Sequence, residues 1–167
     1  FMNDVKHLFQ PSVTISQNDI VILVKKDKIN EIKSISDLQI PGIRVGCAHP
    51  EKSALGALTV KMLNRLNIKL GSNLELDSAT GDFLVNQLRA GSLDAVIVYR
   101  SNALANPSTL NDAIVVDIND SSALAYQPFA IGANTRHKNL MARLFSSLTS
   151  KQAKADFEKI GFKWIVK

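Results

Sequence analysis

The chain has a single cysteine, Cys47, so no disulfide can close within it and the fold must rest on packing and hydrogen bonds. Long apolar runs are also missing. DIVILVKK and DAVIVYRS are each broken within a few residues, too short to cross a bilayer as a helix. No secretory leader is visible, because FMNDVKHLF has no basic start followed by an apolar stretch and a small-residue cleavage site, as a mature chain would also lack. There is no zinc-finger spacing and no aromatic RNA-binding motif, and the cations are scattered, with modest clusters at Lys25-Lys26-Asp27-Lys28 and from Lys151 to Lys159. No nucleic-acid partner is therefore expected.

What is present suits an ordinary globular protein: 46% hydrophobic and 21% charged residues, enough in 167 positions for one good core or two small lobes. The net charge of +5 favours anionic partners over cationic ones. Cys47 follows Ile43 and Val45 in alternation, which reads as a small buried side chain at a strand end.

The periodicity repeats strand then helix. Val13, Ile15 and the β-branched run Ile20 to Val24 predict a first strand, and Ser36-Asp37-Leu38 a short capped turn ended by Pro41-Gly42. Ile43 to Ala48 follows as a strand. Ser53 to Asn67 is a helix with Leu55, Leu58, Met62 and Leu66 on its core face. Leu74 to Leu76 is a short strand, then a helix opens at Thr80 or Gly81 and ends at Gly91. Further strands are Asp94 to Tyr99, Ile114 to Ile118 and Ala125 to Ile131. Two helices close the chain, one with Leu140, Leu144, Phe145 and Leu148 on a face, the other with Ala153, Phe157 and Ile160 before Gly161. This alternation predicts an α/β fold with a mostly parallel sheet.

In such sheets ligands sit outside the carboxyl ends of the strands, where helix N-termini also point. Ala48 to Gly56, Ser78 to Asp82 and Tyr99 to Ser101 would collect there. Free N–H groups at these helix starts, with a tyrosine hydroxyl, could hold an anion without any formal charge, or they could be ordinary connections.

The succession IVILVKKD, SISDLQIPGIRVGCAHPEKSALGALTVKML, GDFLVNQLRAGSLDAVIVYRSNAL and LTSKQAKADFEKIGF resembles the later part of periplasmic molybdate-binding proteins of ABC transporters. It runs from Ile20 to Phe162. Its most specific piece is Gly91 to Tyr99 with Ser101 and Ala103, where glycine, acid and tyrosine keep their spacing, and the closing Gly161-Phe162 supports it.

The resemblance implies a type II periplasmic-binding-protein-like fold: a mostly parallel α/β lobe at 25–122, the second lobe, and part of the first lobe at 1–24 and 123–167 with its C-terminal helices, joined by hinge strands. It also implies a further N-terminal segment, supplying two hydroxyl-bearing loops, so that this chain holds half of the expected site. Carried over by position, the ligand contacts are Ser53, Leu55 and Gly56 at one helix start and Gly81 at the next. The backbone N–H groups of Leu55 and Gly81 would make the contact, and the Tyr99 hydroxyl would donate a further hydrogen bond.

The implied function is the extracytoplasmic solute-binding component of an ABC transporter, periplasmic or extracellular and membrane-associated. It would be a monomer, binding a small oxyanion, molybdate or tungstate, and delivering it to a membrane permease. No cofactor, catalytic residue or direct cation site is expected. His49 stands where the family has an aspartate, and is open to reading as an extra donor or a solvated turn residue. Cys47 and His49 are two ligands, too few for zinc. Tyr126, in Tyr126-Gln127-Pro128, packs at the hinge or faces ligand. Asp82 would stabilise its own helix. The alternative function is the ligand-sensing domain of a regulator with the same fold; an enzyme would need a nucleophile with a base, or paired carboxylates, at the strand ends.

Overall fold

The computed structural model describes residues 2–78 and 80–166. The chain forms two compact units, one made of Phe1–Asn18 with Tyr126–Lys167 and the other of Asp19–Ala125. Seven strands are β1 (Val13–Lys25), β2 (Val45–Ala48), β3 (Leu74–Ser78), β4 (Ala95–Tyr99), β5 (Ala113–Asp117), β6 (Leu124–Phe129) and β7 (Lys163–Trp164). The helices are α1 (Met2–Val5), α2 (Ala54–Arg65), α3 (Gly81–Arg89), α4 (Arg100–Leu104), α5 (Thr109–Asp112), α6 (Lys138–Leu148) and α7 (Lys151–Lys159).

The larger unit, 19–125, is built on the strand order β3-β2-β4-β1-β5. β2 pairs in parallel with β3 and β4, whereas β1 runs antiparallel to both β4 and β5. The α/β architecture is thus realised as a mixed sheet, and its parallel part is confined to β3-β2-β4. The reason is connectivity. β3 and β4 are each reached from the strand before through a helix, α2 and α3, as parallel crossovers require, whereas only 3₁₀ turns lie between β1 and β2. Ile20 to Val24 are wholly buried, since helices and turns cover both faces of this central strand. Leu55, Met62, Leu84, Leu88 and Leu38 fill the space against it.

Short-range chemistry sets the connections. Ser34 and Asp37 form a reciprocal capping box on the 3₁₀ turn Ile35–Gln39, and Asp37 is held below the usual carboxylate range by the Lys33 backbone N–H and the Ser34 hydroxyl. Asn73, buried, donates to the carbonyls of Leu38 at 2.9 Å and Ile40 at 2.7 Å, tying that turn to the start of β3.

Asp94 fastens the sheet at the end where β2 and β4 begin. Its carboxylate, 4% exposed, accepts from the Arg44 backbone N–H at 2.9 Å, from Nε at 3.1 Å and from Nη2 at 2.8 Å. Its own N–H donates to the Arg44 carbonyl at 2.8 Å, and its carbonyl accepts from Lys25 N–H at 3.0 Å. Arg44 Nη2 also reaches the carbonyl of Gly91, at 3.1 Å; Gly91 adopts φ +84°, the left-handed turn that ends α3.

In the smaller unit β7 pairs with β1 at Ser16↔Trp164 and Gln17↔Lys163, and β6 also pairs with β1. Phe157 packs edge-on against Phe162 and Trp164, and Phe129 stacks on Phe145. Neither α6 nor α7 has a fully buried residue. The predicted apolar faces exist, but Leu140, Leu144 and Ile160 are exposed.

Burial pushes the Asp94 carboxyl up, but the Arg44 hydrogen bonds outweigh it and hold it below the ordinary range. Its contribution is therefore complete above the unfolded value of about 3.9 and is lost as pH falls through the lower folded value. Asp94→Ala is expected to cost about 2 kcal/mol in urea denaturation at pH 7, because the Arg44 backbone N–H loses its acceptor while water can reach the half-exposed guanidinium, with the deficit shrinking on acidification below about pH 4. An unchanged urea midpoint at pH 7 would show that the knot is not stabilising.

Candidate functional site

Because β2, β3 and β4 are parallel, their carboxyl ends lie on one edge of the larger unit. The pairing Ala48↔Ser78 levels β2 with β3, and the offset of Val45↔Ala95 and Gly46↔Val96, carried on, levels His49 with Tyr99. From this edge start α2, α3 and α4, each the next helix after its strand. The edge therefore gathers Ser53, Leu55, Gly56, Gly81 and Tyr99.

Ser53 is the extended N-cap residue of α2, and its side chain makes no capping bond, which leaves the first N–H groups of the helix without a side-chain acceptor. Leu55 is 3% exposed with its side chain in the core, so only its backbone N–H can serve a ligand. Gly56 has a packing reason to be glycine. A Cβ there would collide with the backbone carbonyl group of His49 and stand 2.5 Å from the carbonyl oxygen of Ala48. The small residue lets α2 sit directly on the β2–α2 loop, and this close approach accounts for Gly56 whether or not a ligand rests there.

The loop itself is tied to β3, since His49 N–H donates to the Ser78 carbonyl at 2.7 Å. His49 Nδ1 accepts from Glu51 N–H at 3.1 Å, and Nε2 lies 3.7 Å from Asp77. Cys47, beneath, is buried, and burial with nearby Asp77 pushes its thiol up to about 12, so it is no nucleophile.

At α3, Thr80 caps by accepting from Phe83 N–H at 3.3 Å. Gly81 lies against the Asn102 side chain: a Cβ would stand 2.6 Å from Asn102 Oδ1. Asn102 Nδ2 donates to Asp82 at 2.8 Å, so Asp82 bridges to α4 in addition to opening its own helix. Tyr99 is the N-cap residue of α4, half-buried and paired with Ile20 of β1, and burial raises its phenol, which keeps it a hydroxyl donor at neutral pH.

Sequence reasoning missed Arg100 and Asn102. Arg100 forms an ion pair with Asp117 and lies 3.9 Å from Asp19. Its charge is spent on carboxylates from β5 and β1, so Arg100 itself is not a free cation for an anion at this edge. Asn102 holds the starts of α3 and α4 together. Only the pairing of distant strands reveals either role. Among the described residues no group of three His, Cys, Asp or Glu converges to hold a metal ion, and no helix is long and apolar enough to cross a membrane.

Residues 3–163 match the model of the bacterial extracellular solute-binding protein family, and the chain belongs to that family. Its members are extracellular solute-binding proteins. The fold is the type II periplasmic-binding-protein fold. The chain is similar to the substrate-binding domain named for a molybdenum ABC transporter of Clostridium difficile, with a TM-score of 0.75 and 18% identity, covering 99% of this chain and 73% of that one. It is similar to Peb3 of Campylobacter jejuni with L-phospholactate bound, with a TM-score of 0.73 and 17% identity, covering 98% and 73%. A two-component signal-transduction protein shares the fold at a TM-score of 0.74 and 15% identity, covering 93% of this chain and 56% of that one. No curated protein matches the chain by sequence.

The two edge glycines should respond differently to substitution. Gly56→Ala drives a methyl into rigid backbone and is expected to cost about 2 kcal/mol or more, whereas at Gly81→Ala the Asn102 side chain can turn aside, at about 1 kcal/mol or less. Urea midpoints of the two variants test this. Equal costs would mean that the contact at Gly56 is not the tight one.

Proposed function

We propose that the edge formed by the starts of α2, α3 and α4 binds a small tetrahedral oxyanion, and that the protein delivers it to the membrane permease of an ABC transporter. The observation that carries the reading is the convergence, on the carboxyl edge of three parallel strands, of an uncapped helix start, a glycine-opened helix start and the Tyr99 hydroxyl. Leu55, Gly56 and Gly81 donate through backbone N–H, the Ser53 hydroxyl lies beside them, and Tyr99 donates from its phenol. The names of two structural neighbours support the class: one concerns molybdenum, and phospholactate carries a phosphate group. Molybdate or tungstate is the favoured solute. The segments 1–24 and 123–167 serve as part of a first lobe with hinge strands, 25–122 as the second, and closure over the solute needs no chemistry from the protein.

Because Arg100 is neutralised by Asp19 and Asp117, its charge should add little to the salt dependence of affinity. A second reading, a ligand-sensing domain, is favoured by the likeness to the two-component protein; it keeps the same anion edge and replaces the permease with a signalling partner.

Isothermal titration of the full-length protein with molybdate and with phosphate tests the proposal. Tyr99→Phe is expected to weaken the preferred anion by about 1 to 2 kcal/mol, the worth of one charge-assisted hydrogen bond, with the fold intact. Unchanged affinity would remove Tyr99 from the site, and no heat with any tetrahedral oxyanion would overturn the ligand class.

A further inference from the structure

Among the described residues, four side-chain oxygens are buried with no hydrogen-bond partner: those of Ser16 and Thr59, Asn102 Oδ1 and Thr109 Oγ1. The last two belong to residues that line a single cavity of about 210 Å³. Burying a polar atom unpaired is costly, so two of them at the wall of one cavity call for an explanation in what that cavity holds.

The cavity lies between α3 and the short helices α4 and α5. Asp82, Asn86 and Arg89 line it from α3, where spacings of four and three residues put them on one face. Asn102, Asn106 and Thr109 line it from the other side. Asp82 accepts from Asn102 Nδ2 at 2.8 Å and has no ion-pair partner among the described residues. Arg89 is paired with Asp112 at 3.2 Å, so the balance of the recess is one negative charge. Asp82 and Asn102 Oδ1 can only accept, and the Thr109 hydroxyl takes either role. No cationic field opposes a positive ligand, since residues 19–125 carry eleven Lys and Arg against twelve Asp and Glu. Both walls are helices of this one continuous stretch, which has its own core. A polar recess, unlike an apolar face, needs no further chain to cover it.

We propose that this recess binds a small organic monocation, a short amine or amino alcohol, through its ammonium group. Asp82 supplies the opposite charge, and Asn102 Oδ1 and Thr109 Oγ1 are the acceptors for the ligand's N–H and O–H groups. Both atoms are closed to solvent, so taking the ligand involves a turn of the Asn102 and Thr109 side chains. One carboxylate suits one positive charge: no group of three His, Cys, Asp or Glu converges among the described residues to hold a multivalent ion. At about 30 Å³ for each water, the volume has room for more than a bare alkali ion. Asn102 also lies against Gly81, so the recess and the anion edge share a residue, but the inference does not depend on which solute that edge binds.

The test is a nuclear magnetic resonance titration of the full-length protein with ethanolamine hydrochloride at constant ionic strength. Tetramethylammonium chloride serves as a monocation with no N–H to donate. The side-chain amide signals of Asn86, Asn102 and Asn106 are expected to move and saturate with ethanolamine and to stay still with tetramethylammonium. Asp82→Asn keeps an oxygen for Asn102 Nδ2 and removes the charge, and it should weaken ethanolamine about tenfold or more. Thr109→Val should weaken it about threefold or more without lowering the urea midpoint, because the hydroxyl has no partner to lose. Circular dichroism checks that both variants fold, and either one alone suffices for the test. Sodium or potassium chloride moving the same signals as strongly as ethanolamine would overturn the ammonium group in favour of an alkali ion. An equal response to tetramethylammonium, or no saturable shift with any of these cations, would overturn the site.

Discussion

The hydrogen-bonded pair Arg44–Asp94 is the constraint on which the larger unit depends. One buried carboxylate takes three donors from Arg44, and the backbone of the same residue bonds to both β2 and β1. It thereby fixes how β4 stands against its two neighbours. Tyr99 lies five residues further along β4, so the level at which its hydroxyl emerges, beside the β2–α2 loop, is set at the opposite end of the strand. A slip of one residue there would turn Tyr99 to the other face of the sheet. The spacing of Gly91, Asp94 and Tyr99 thus has a mechanical meaning: the glycine ends a helix, the acid locks a register, and the tyrosine arrives at the edge.

At that edge, small residues serve packing first. Gly56 lets α2 rest on the carbonyls of Ala48 and His49, and Gly81 accommodates the side chain of Asn102. These contacts bring helix starts close to the strand ends, which places their N–H groups where a solute could meet them. Packing and binding are not competing explanations at Gly56. The close approach is what allows the helix starts to converge, and beside them Arg100 is paired with Asp19 and Asp117.

Much of this was legible in the sequence because it is local. β1 is announced by its β-branched run, and α2 by Leu55, Leu58, Met62 and Leu66, of which Leu55 and Met62 are buried and the other two half-buried. The positive φ of Gly42, Gly91 and Gly161 falls at three positions read as stops. Three connections point to one edge as soon as their strands are parallel, so the assembly of Ser53, Leu55, Gly56, Gly81 and Tyr99 could be anticipated. Pairing direction could not. β1 has the composition of a buried parallel strand, yet it lies antiparallel, because burial on both faces fixes composition and connectivity fixes direction. Arg100 with Asp19 and Asp117, and Asn102 with Asp82, join residues 17 to 81 positions apart along the chain, and no periodicity encodes such pairs. The apolar stripe of α6 was visible as a stripe, but whether it faces core or water is a property of the neighbouring chain.

The most direct measurement is an amide nuclear magnetic resonance titration of the full-length protein with molybdate, following the backbone N–H signals of Leu55, Gly56 and Gly81. If these helix starts hold the anion, the three signals should move together and saturate with one binding constant, while the amides of α6 and α7 stay still. Saturable binding by calorimetry with all three signals unmoved would contradict the account, since the solute would then be held somewhere other than the edge that β2, β3 and β4 create.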